Sequence, residues 1–302
     1  MAPLSYRTVD AFTLTPFKGN PCAVIVFDPS DSRKDDDSFL LHLAQEFNYS
    51  ESAFLVPLPP SPHPSIPDDT PTFSLRWFTP TCEFPLCGHG TLASAHTVFA
   101  SHCPSAELLR FETMSGTLTA RRLEGGKIEL EFPDDTLEVT KTVSEEKEQR
   151  LREAIKSASP EFEGKLLGWA KGKLGWIIEL SAELELEKVK IDTPFGGYVV
   201  FTQPAPLKAK EDIRSRVLDP VEEIPEDPVT GSAHCMLAPY WLGRSGPRSR
   251  LPQQLGVDER DGLRARQVSS RGGDLDVVWI RKAGRVKLRG DAVTVMTGRL
   301  LL

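Results

Sequence analysis

The segment EDPVTGSAHC, residues 226–235, carries the strongest fold signal in this chain. Its acidic start passes through a proline to a glycine, and an Ala-containing apolar stretch follows, which is typical of a helix that begins just after a turn. A related segment, EFPLCGHG at residues 83–90, lies 143 residues earlier. At that offset three identical residues align: Glu83 with Glu226, Pro85 with Pro228, and Gly88 with Gly231. Because 143 is close to half of the 302 residues, the sequence predicts two similar halves.

The composition excludes several classes of protein. With 39% hydrophobic and 26% charged residues the chain is typical of a soluble globular protein of roughly two domains. It has no apolar run of the roughly 20 residues that cross a membrane, and its first residues lack the features of a secretory signal. The 36 basic and 43 acidic residues give a net charge of −7, which argues against nucleic acid as the main partner. Five cysteines, an odd and sparse set, predict a reducing, cytoplasmic location.

Hydrophobic periodicity predicts strands and helices in both halves. In the first half it indicates helices near 35–47 and 86–100 and strands near 6–12, 22–27, 51–56, 73–78 and within 107–132. In the second half it indicates a charged helix near 143–157, a second helix from about 230, and strands near 174–180, 197–203, 264–270, 274–281, 285–289 and 292–297. Residues 57–71, PLPPSPHPSIPDDTP, are too rich in proline for either element and predict an exposed loop.

The two glycine-led helix starts are candidate binding sites for an anion. The first peptide N–H groups of a helix lack partners inside the helix, and the helix dipole favours negative charge there. Glycine lets a ligand approach the backbone closely. A simpler interpretation is that each glycine only permits a tight turn into a buried helix, and the sequence leaves both open.

Four titratable or polar residues near these points are candidates for catalysis. His89 directly follows the first glycine, and Asp227 and Ser232 flank the second. Asp227 and Ser232 could equally cap the helix. Glu51 directly precedes the strand-like Ser-Ala-Phe-Leu-Val, where a charged residue could simply be a solvated strand end.

At these residues the chain resembles the PhzF-like (phenazine biosynthesis-like) isomerase family, a branch of the diaminopimelate epimerase fold. The similarity extends from about residue 10 to 273. The matching segments are DAF (10–12), FKGNP (17–21), NYSESAF (48–54), RWFTP (76–80), LCGHGTLASAH (86–96), EDPVTGSAHC (226–235), APYW (238–241), RARQVS (264–269) and RGG (271–273). The segment 226–235 is the most specific of them.

The resemblance implies an α+β fold of two pseudo-symmetric β-roll (hot-dog-like) halves, each wrapped around a central helix. The expected halves are residues 1–133 and 134–290, with the C-terminal strand, about 291–302, returning to the first half. The active site is expected in the cleft where the two helix N-termini face each other.

The resemblance also assigns roles to individual residues. Glu51 matches the catalytic acid/base, and His89, Asp227 and Ser232 match its polar partners. We expect substrate contacts from Asn20, Cys87, Gly88, Gly90, Thr230 and Gly231. The implied activity is an isomerase that moves a proton on a small carboxylate, in a biosynthetic process, with no metal and no cofactor.

The sequence disfavours three other chemistries. Epimerase relatives use one thiol at each helix start, but here Cys87 is matched by Thr230, whose hydroxyl cannot act as a base near neutral pH. A nucleophilic pair of Cys87 and His89 is disfavoured because residues two apart at a helix start are expected to point in different directions. A zinc site from Cys82, Cys87, His89 and Cys103 lacks paired short spacings.

Two alternatives outside isomerisation stay open. The chain could be a non-catalytic or regulatory small-molecule-binding protein on the same fold, or a biosynthetic cyclase. Because the Pro-rich loop 57–71 departs from the family, the substrate need not be the phenazine precursor. The resemblance also allows a homodimer.

Overall fold

Strands of mainly apolar sequence, joined by a few helices, build both halves of the chain. The computed structural model describes residues 3–135, 137, 145–191, 197–219, 224–243 and 262–301. They divide into two compact units, one from residues 1–132 and 288–302 and the other from residues 133–287.

The first unit begins with eight strands and two helices. The strands are β1 (Leu4–Ala11), β2 (Asn20–Val26), β3 (Glu51–Leu58), β4 (Thr72–Phe78), β5 (Glu83–Phe84), β6 (Leu108–Thr113), β7 (Gly116–Arg122) and β8 (Ile128–Pro133). The helices are α1 (Asp37–Phe47) and α2 (Gly88–Ser101). The Pro-rich segment 57–71 completes β3 and then connects β3 to β4 without forming a helix.

The second unit repeats this style. Its helices are α3 (Glu145–Ala158) and α4 (Gly231–Leu242). Its strands are β9 (Leu166–Lys171), β10 (Trp176–Leu180), β11 (Val199–Pro204), β12 (Ile213–Asp219), β13 (Ile224–Asp227), β14 (Gly262–Gln267), β15 (Gly273–Ile280) and β16 (Arg285–Gly290), the last of which continues into residues of the first unit. The final strand, β17 (Ala292–Leu300), pairs antiparallel with β1.

The two units share one order of strand pairing. In the first, β1–β2 is antiparallel, β2–β3 parallel, β3–β4 and β4–β5 antiparallel, β4–β6 parallel and β6–β7 antiparallel. In the second, the same sequence of pairings runs from β9 to β15. Parallel neighbours need a crossover connection, and the connections from β4 to β6 and from β12 to β14 contain α2 and α4. The structure therefore contains the repeat that the offset of 143 residues indicated.

Helix α2 is the central helix of the first unit. Ten of its fourteen residues are buried, and it packs against β1, β2, β3 and β17. Its sequence, GHGTLASAHTVFAS, is rich in small residues, so strands can approach it from several sides. The amphipathic α1 instead buries Leu40, Leu43 and Ala44 and contacts β3 and β4.

Helix α4 has the same character in the second unit, with ten of its twelve residues buried. It packs against β14 and β15. A separate apolar cluster includes Leu151 and Ile155 of α3 with Ile178, Val199 and Phe201 of the strands. Among the described residues, no helix combines the length and the apolar character that crossing a membrane requires. All five cysteines are free thiols.

Candidate active site

The first group of predicted site residues meets where two parallel strands and a helix all begin. Asn20 is the first residue of β2, and Glu51 is the first residue of β3. The parallel register places Cys22 opposite Glu51, so both strands start at one edge of the sheet. His89 lies in the first turn of α2, which packs against both strands.

A tight turn fixes the start of β2. Gly19 has φ of +66°, and a Cβ on it would lie 2.1 Å from the carbonyl oxygen of Ala11. Only glycine fits such a position without moving the backbone. The buried carboxylate of Asp10 also accepts a hydrogen bond from the Phe17 N–H at 2.7 Å. The sequence FKGNP therefore sets the place of Asn20.

Asn20 determines the tautomer of His89. The Asn20 side chain is fully buried, and its Oδ1 accepts from the Ser50 hydroxyl at 3.3 Å. Its Nδ2, which can only donate, lies 3.2 Å from His89 Nδ1. Nδ1 is therefore the acceptor in a neutral His89, and Nε2 carries the proton.

The protonated nitrogen of His89 faces Glu51. His89 Nε2 lies 3.5 Å from Glu51 Oε2 and 3.4 Å from the Ser50 hydroxyl. The side chains of His89 and Glu51 are 5% and 16% exposed, so this pair is largely shielded from solvent. Such a pair can hold or pass a proton at the Glu51 carboxylate.

Cys87 caps the start of α2. Its Sγ accepts a hydrogen bond from the Gly90 N–H at 3.2 Å. A Cβ on Gly90 would lie 2.7 Å from Cδ1 of the buried Trp77, which explains the glycine at this position. Since the Gly90 N–H is directed to sulfur here, its predicted contact with substrate requires that this bond open.

The expectation that Cys87 and His89 point in different directions is wrong. Cys87 Sγ lies 3.4 Å from His89 Nδ1. Cys87 is the N-cap residue with extended backbone, φ −133° and ψ 117°, so its side chain folds back over the first turn toward His89. Spacing rules for the helix interior do not describe a cap.

Glu51, Cys87 and His89 could also be considered as metal ligands, because one donor atom of each lies within 4.8 Å of the others. The contacts, however, divide between the two ring nitrogens: Cys87 lies at Nδ1 and Glu51 at Nε2. One ring nitrogen of His89 nevertheless lies within 4.8 Å of a donor atom of each of the other two residues. The cluster is therefore compatible with a metal ion as well as with proton transfer.

The second group of predicted residues lies at the start of α4. Thr230 is the N-cap residue, and its hydroxyl donates to the carboxylate of Asp227. The buried Gln267 at the end of β14 braces both residues: its Oε1 accepts from the Thr230 N–H at 2.9 Å, and its Nε2 donates to the Asp227 carbonyl at 2.6 Å. These bonds hold the Asp227 carboxylate beside the helix start at Gly231.

Ser232 stands at the position that corresponds to His89 in the repeat. Its hydroxyl lies 3.4 Å from the hydroxyl of Tyr198, just as His89 contacts Ser50 in the first unit. Burial raises the pKa of Tyr198, and the nearby Asp227 charge adds to the increase. Ser232 and Tyr198 thus supply hydroxyl groups where the first unit has an imidazole.

Each helix start is held by an arginine–glutamate pair. Arg76 binds both carboxylate oxygens of Glu83 at 2.7 and 2.6 Å, and Arg216 binds those of Glu226 at 2.6 and 2.8 Å. Paired parallel hydrogen bonds of this kind fix geometry. The glutamates of the repeated motif therefore position the short strands that lead into α2 and α4.

Three residues of the two groups were missed by the sequence reasoning. Ser50 adjoins Glu51, and Gln267 lies in the matched segment RARQVS, so both had a signal that was available but not used. Tyr198 had none: it directly precedes β11, and the place of β11 in the sheet is set by its parallel pairing with β10, between residues that no sequence pattern connects.

Stability of the second unit should depend on pH through His234. Its Nδ1 donates to the Thr230 carbonyl at 2.7 Å, and burial lowers the pKa of His234 to about 4. The unfolded chain, with a pKa near 6.5, binds the proton first as pH falls, so stability is lost below about pH 6.5. Between pH 7 and pH 5, protonation of His234 in the unfolded chain should lower the free energy of unfolding by about 2 kcal/mol.

Urea unfolding at the two pH values checks this expectation. His234→Gln should show a smaller pH dependence than the wild type, and His42→Gln, at an exposed position, should keep it. An unchanged dependence in His234→Gln would show that other groups cause it.

Comparison with known proteins identifies the family. The family model of phenazine biosynthesis-like proteins, PhzC-PhzF, matches residues 9–298. The phenazine biosynthesis-like domain-containing protein 2 of Mus musculus is 36% identical, and the alignment covers 96% of both chains. A protein of Halalkalibacterium halodurans named an uncharacterized isomerase is 36% identical, with 97% of both chains covered. The crystal structure of a PhzF-family phenazine biosynthesis protein from Enterococcus faecalis matches with a TM-score of 0.74 and 29% identity over 100% of both chains.

These similarities confirm the α+β fold of two similar halves with epimerase-type architecture. They extend over nearly the whole chain, well beyond the motifs at the two helix starts. The chain therefore belongs to the phenazine biosynthesis-like (PhzC-PhzF) protein family.

Proposed function

We propose that this protein is an isomerase that moves a proton on a small carboxylate substrate, with Glu51 as the general base. The relative of Halalkalibacterium halodurans, 36% identical, is named an isomerase, which supports the reaction class. The observation that carries the proposal is the shielded Glu51 carboxylate, whose Oε2 lies 3.5 Å from the protonated nitrogen of His89.

In the proposed reaction Glu51, His89 and the start of α2 have different roles. Glu51 takes a proton from a carbon activated by the substrate carboxylate or by an adjacent double bond. Negative charge then develops on the substrate, and the N-terminus of α2 at Gly88 stabilises it. His89, held in one tautomer by Asn20, orients the Glu51 carboxylate through its Nε2. It keeps this contact while Glu51 returns the proton to another carbon.

The second group supplies polar contacts. Asp227, braced by Gln267, and Ser232 lie at the start of α4. In the proposed reaction the helix start at Gly231 binds the substrate carboxylate, and Asp227 is a further polar contact while Glu51 returns the proton. The sequence predicts that one substrate contacts both helix starts, and this stays a prediction. The proposed reaction uses protein groups alone.

Solvent isotope exchange tests the proposal directly. Candidate small carboxylates are incubated with the purified protein in D2O, and ¹H NMR follows loss of signal at individual C–H positions. We expect deuterium to enter at one or two carbons of a carboxylate that binds. If carboxylates bind and none exchanges, the protein is a small-molecule-binding protein and the proposal is wrong.

Replacing Cys87 by Ala should slow this exchange by less than about tenfold. Loss of an N-cap contact costs about 1 kcal/mol of helix stability. If the whole of that cost fell on the activation free energy, the rate would still fall by less than tenfold, which corresponds to about 1.4 kcal/mol. The expectation follows because Thr230 stands where a second thiol would be needed for two-thiol racemisation. Cys87→Ser, which keeps a cap, serves as the matched variant. A loss in Cys87→Ala as large as that in Glu51→Gln would place the thiol in the chemistry.

A further inference from the structure

A second concave site lies in the first unit, away from the Glu51 group. A cavity of about 360 Å³ is lined by side chains of β1, β2, β17 and α2. Its lining includes His102, which caps the C-terminal end of α2, whereas His89 lies in the first turn. At 1.5 Å per residue, the two histidines are about 20 Å apart along the helix. The cavity is therefore separate from the proposed active site.

Two arginines face this cavity from neighbouring strands. The antiparallel register pairs Ser5 with Arg299 and Arg7 with Thr297, so all four side chains lie on one face of the β1–β17 ladder. All four line the cavity. Diagonal neighbours on one face of a sheet are within reach of a shared ligand.

The cavity is positively charged. Of the described residues that line it, none is acidic, and Arg7 and Arg299 carry positive charge, whereas His102, whose pKa is lowered by burial, is neutral near pH 7. The charge of Arg7 reaches the helix, because it adds to the effect of burial in lowering the pKa of His102 and of His96. Two guanidinium groups that line one cavity from diagonal positions, without a lining carboxylate, create an unfavourable field that an anion would relieve.

A buried hydroxyl points to a ligand independently of this charge. Thr97, on α2, lines the cavity and is only 2% exposed. Its Oγ1 has no hydrogen-bond partner among the described residues. Buried polar groups are nearly always paired, so this unpaired hydroxyl, on a residue that lines the basic cavity, can donate to a ligand there after a change of its χ1 rotamer.

We propose that this cavity binds a small phosphate monoester. The planar forks of two arginines match phosphate oxygens, and the hydroxyls of Thr97 and Ser5 add donors. Val24 and Val26 provide an apolar wall for a compact organic part. A volume of about 360 Å³ lies at the lower end of the range for small-molecule sites, which suits a ligand of this size.

Isothermal titration calorimetry of the full chain tests this proposal with three probes: inorganic phosphate, glycerol 3-phosphate and succinate, at matched ionic strength. We expect glycerol 3-phosphate to bind more tightly than inorganic phosphate, because it also contacts the apolar wall. Succinate should bind more weakly than both. Equal or tighter binding of succinate, or no binding of either phosphate compound, would overturn the proposal.

Variants localise the site. The double variant Arg7→Gln with Arg299→Gln should weaken glycerol 3-phosphate binding at least about tenfold, and Thr97→Val, of nearly the same shape, about three- to tenfold. Arg121→Gln, at an exposed position on β7, should bind as the wild type does. Unchanged affinity in both cavity variants, each shown to be folded by circular dichroism, would contradict the assignment. Binding is measured without turnover, so this result does not depend on whether the isomerase proposal holds.

Discussion

Glu51→Gln should lower the rate of deuterium exchange by about 10²- to 10⁴-fold, the range that a positioned general base contributes. Gln keeps the size and the hydrogen-bonding shape of Glu51 but cannot accept a proton from carbon. The contact of 3.5 Å with His89 Nε2 and the largely buried side chain are retained by the amide. The variant should therefore fold and bind ligand while losing the chemical step.

The matched control is Glu46→Gln, which changes an exposed carboxylate on α1 of the same unit. It should exchange at the wild-type rate. Ligand binding by Glu51→Gln, followed by line broadening of the carboxylate signals, separates loss of chemistry from loss of affinity. Exchange by Glu51→Gln within about threefold of the wild type would remove Glu51 from the proposed mechanism.

The repeat could be predicted from the sequence because its determinants are local. Gly88 and Gly231 start helices, and Glu83 and Glu226 pair with arginines of the preceding strands. Glycines at helix starts and glutamates of a short motif keep a constant spacing along the chain. An offset of 143 residues therefore predicts two similar halves even though few other positions match.

The contacts within the site could not be predicted in the same way. Asn20, Ser50 and His89 come together only because β2 and β3 are parallel and start at one edge beside α2. That register depends on contacts between residues far apart in sequence. The tautomer of His89 then depends on which atom of Asn20 faces it, which no sequence pattern encodes.

The error about Cys87 and His89 has a physical cause of the same kind. Helical spacing gives the direction of a side chain from its residue number, but only where the backbone is helical. Cys87 precedes the helix with ψ of 117°, so its side chain turns back over Gly90 and approaches His89. The start of a helix is where a binding site lies and also where periodic reasoning stops being valid.

Gly19→Ala should lower the free energy of unfolding by about 2–5 kcal/mol and thereby displace Asn20. A left-handed backbone costs an ordinary residue about 1–2 kcal/mol, and overpacking a buried position adds about 1–3 kcal/mol. Here the new methyl group would lie 2.1 Å from the Ala11 carbonyl oxygen, a backbone atom that cannot rotate away. The turn must open, and Asn20 at its end loses the position from which it donates to His89.

Gly125→Ala separates the cost of the left-handed backbone from the cost of the steric overlap with Ala11. Gly125 also has a positive φ, +79°, but a Cβ there would meet nothing within 4 Å. This variant should lose only the conformational part, about 1–2 kcal/mol, and keep the wild-type rate of exchange. Urea unfolding of both variants, together with the exchange assay, distinguishes these outcomes. If both variants lost the same free energy of unfolding, the close approach of residue 19 to the Ala11 carbonyl would not contribute to stability. A Gly19→Ala protein with the wild-type exchange rate would show that the turn does not position Asn20 for the reaction.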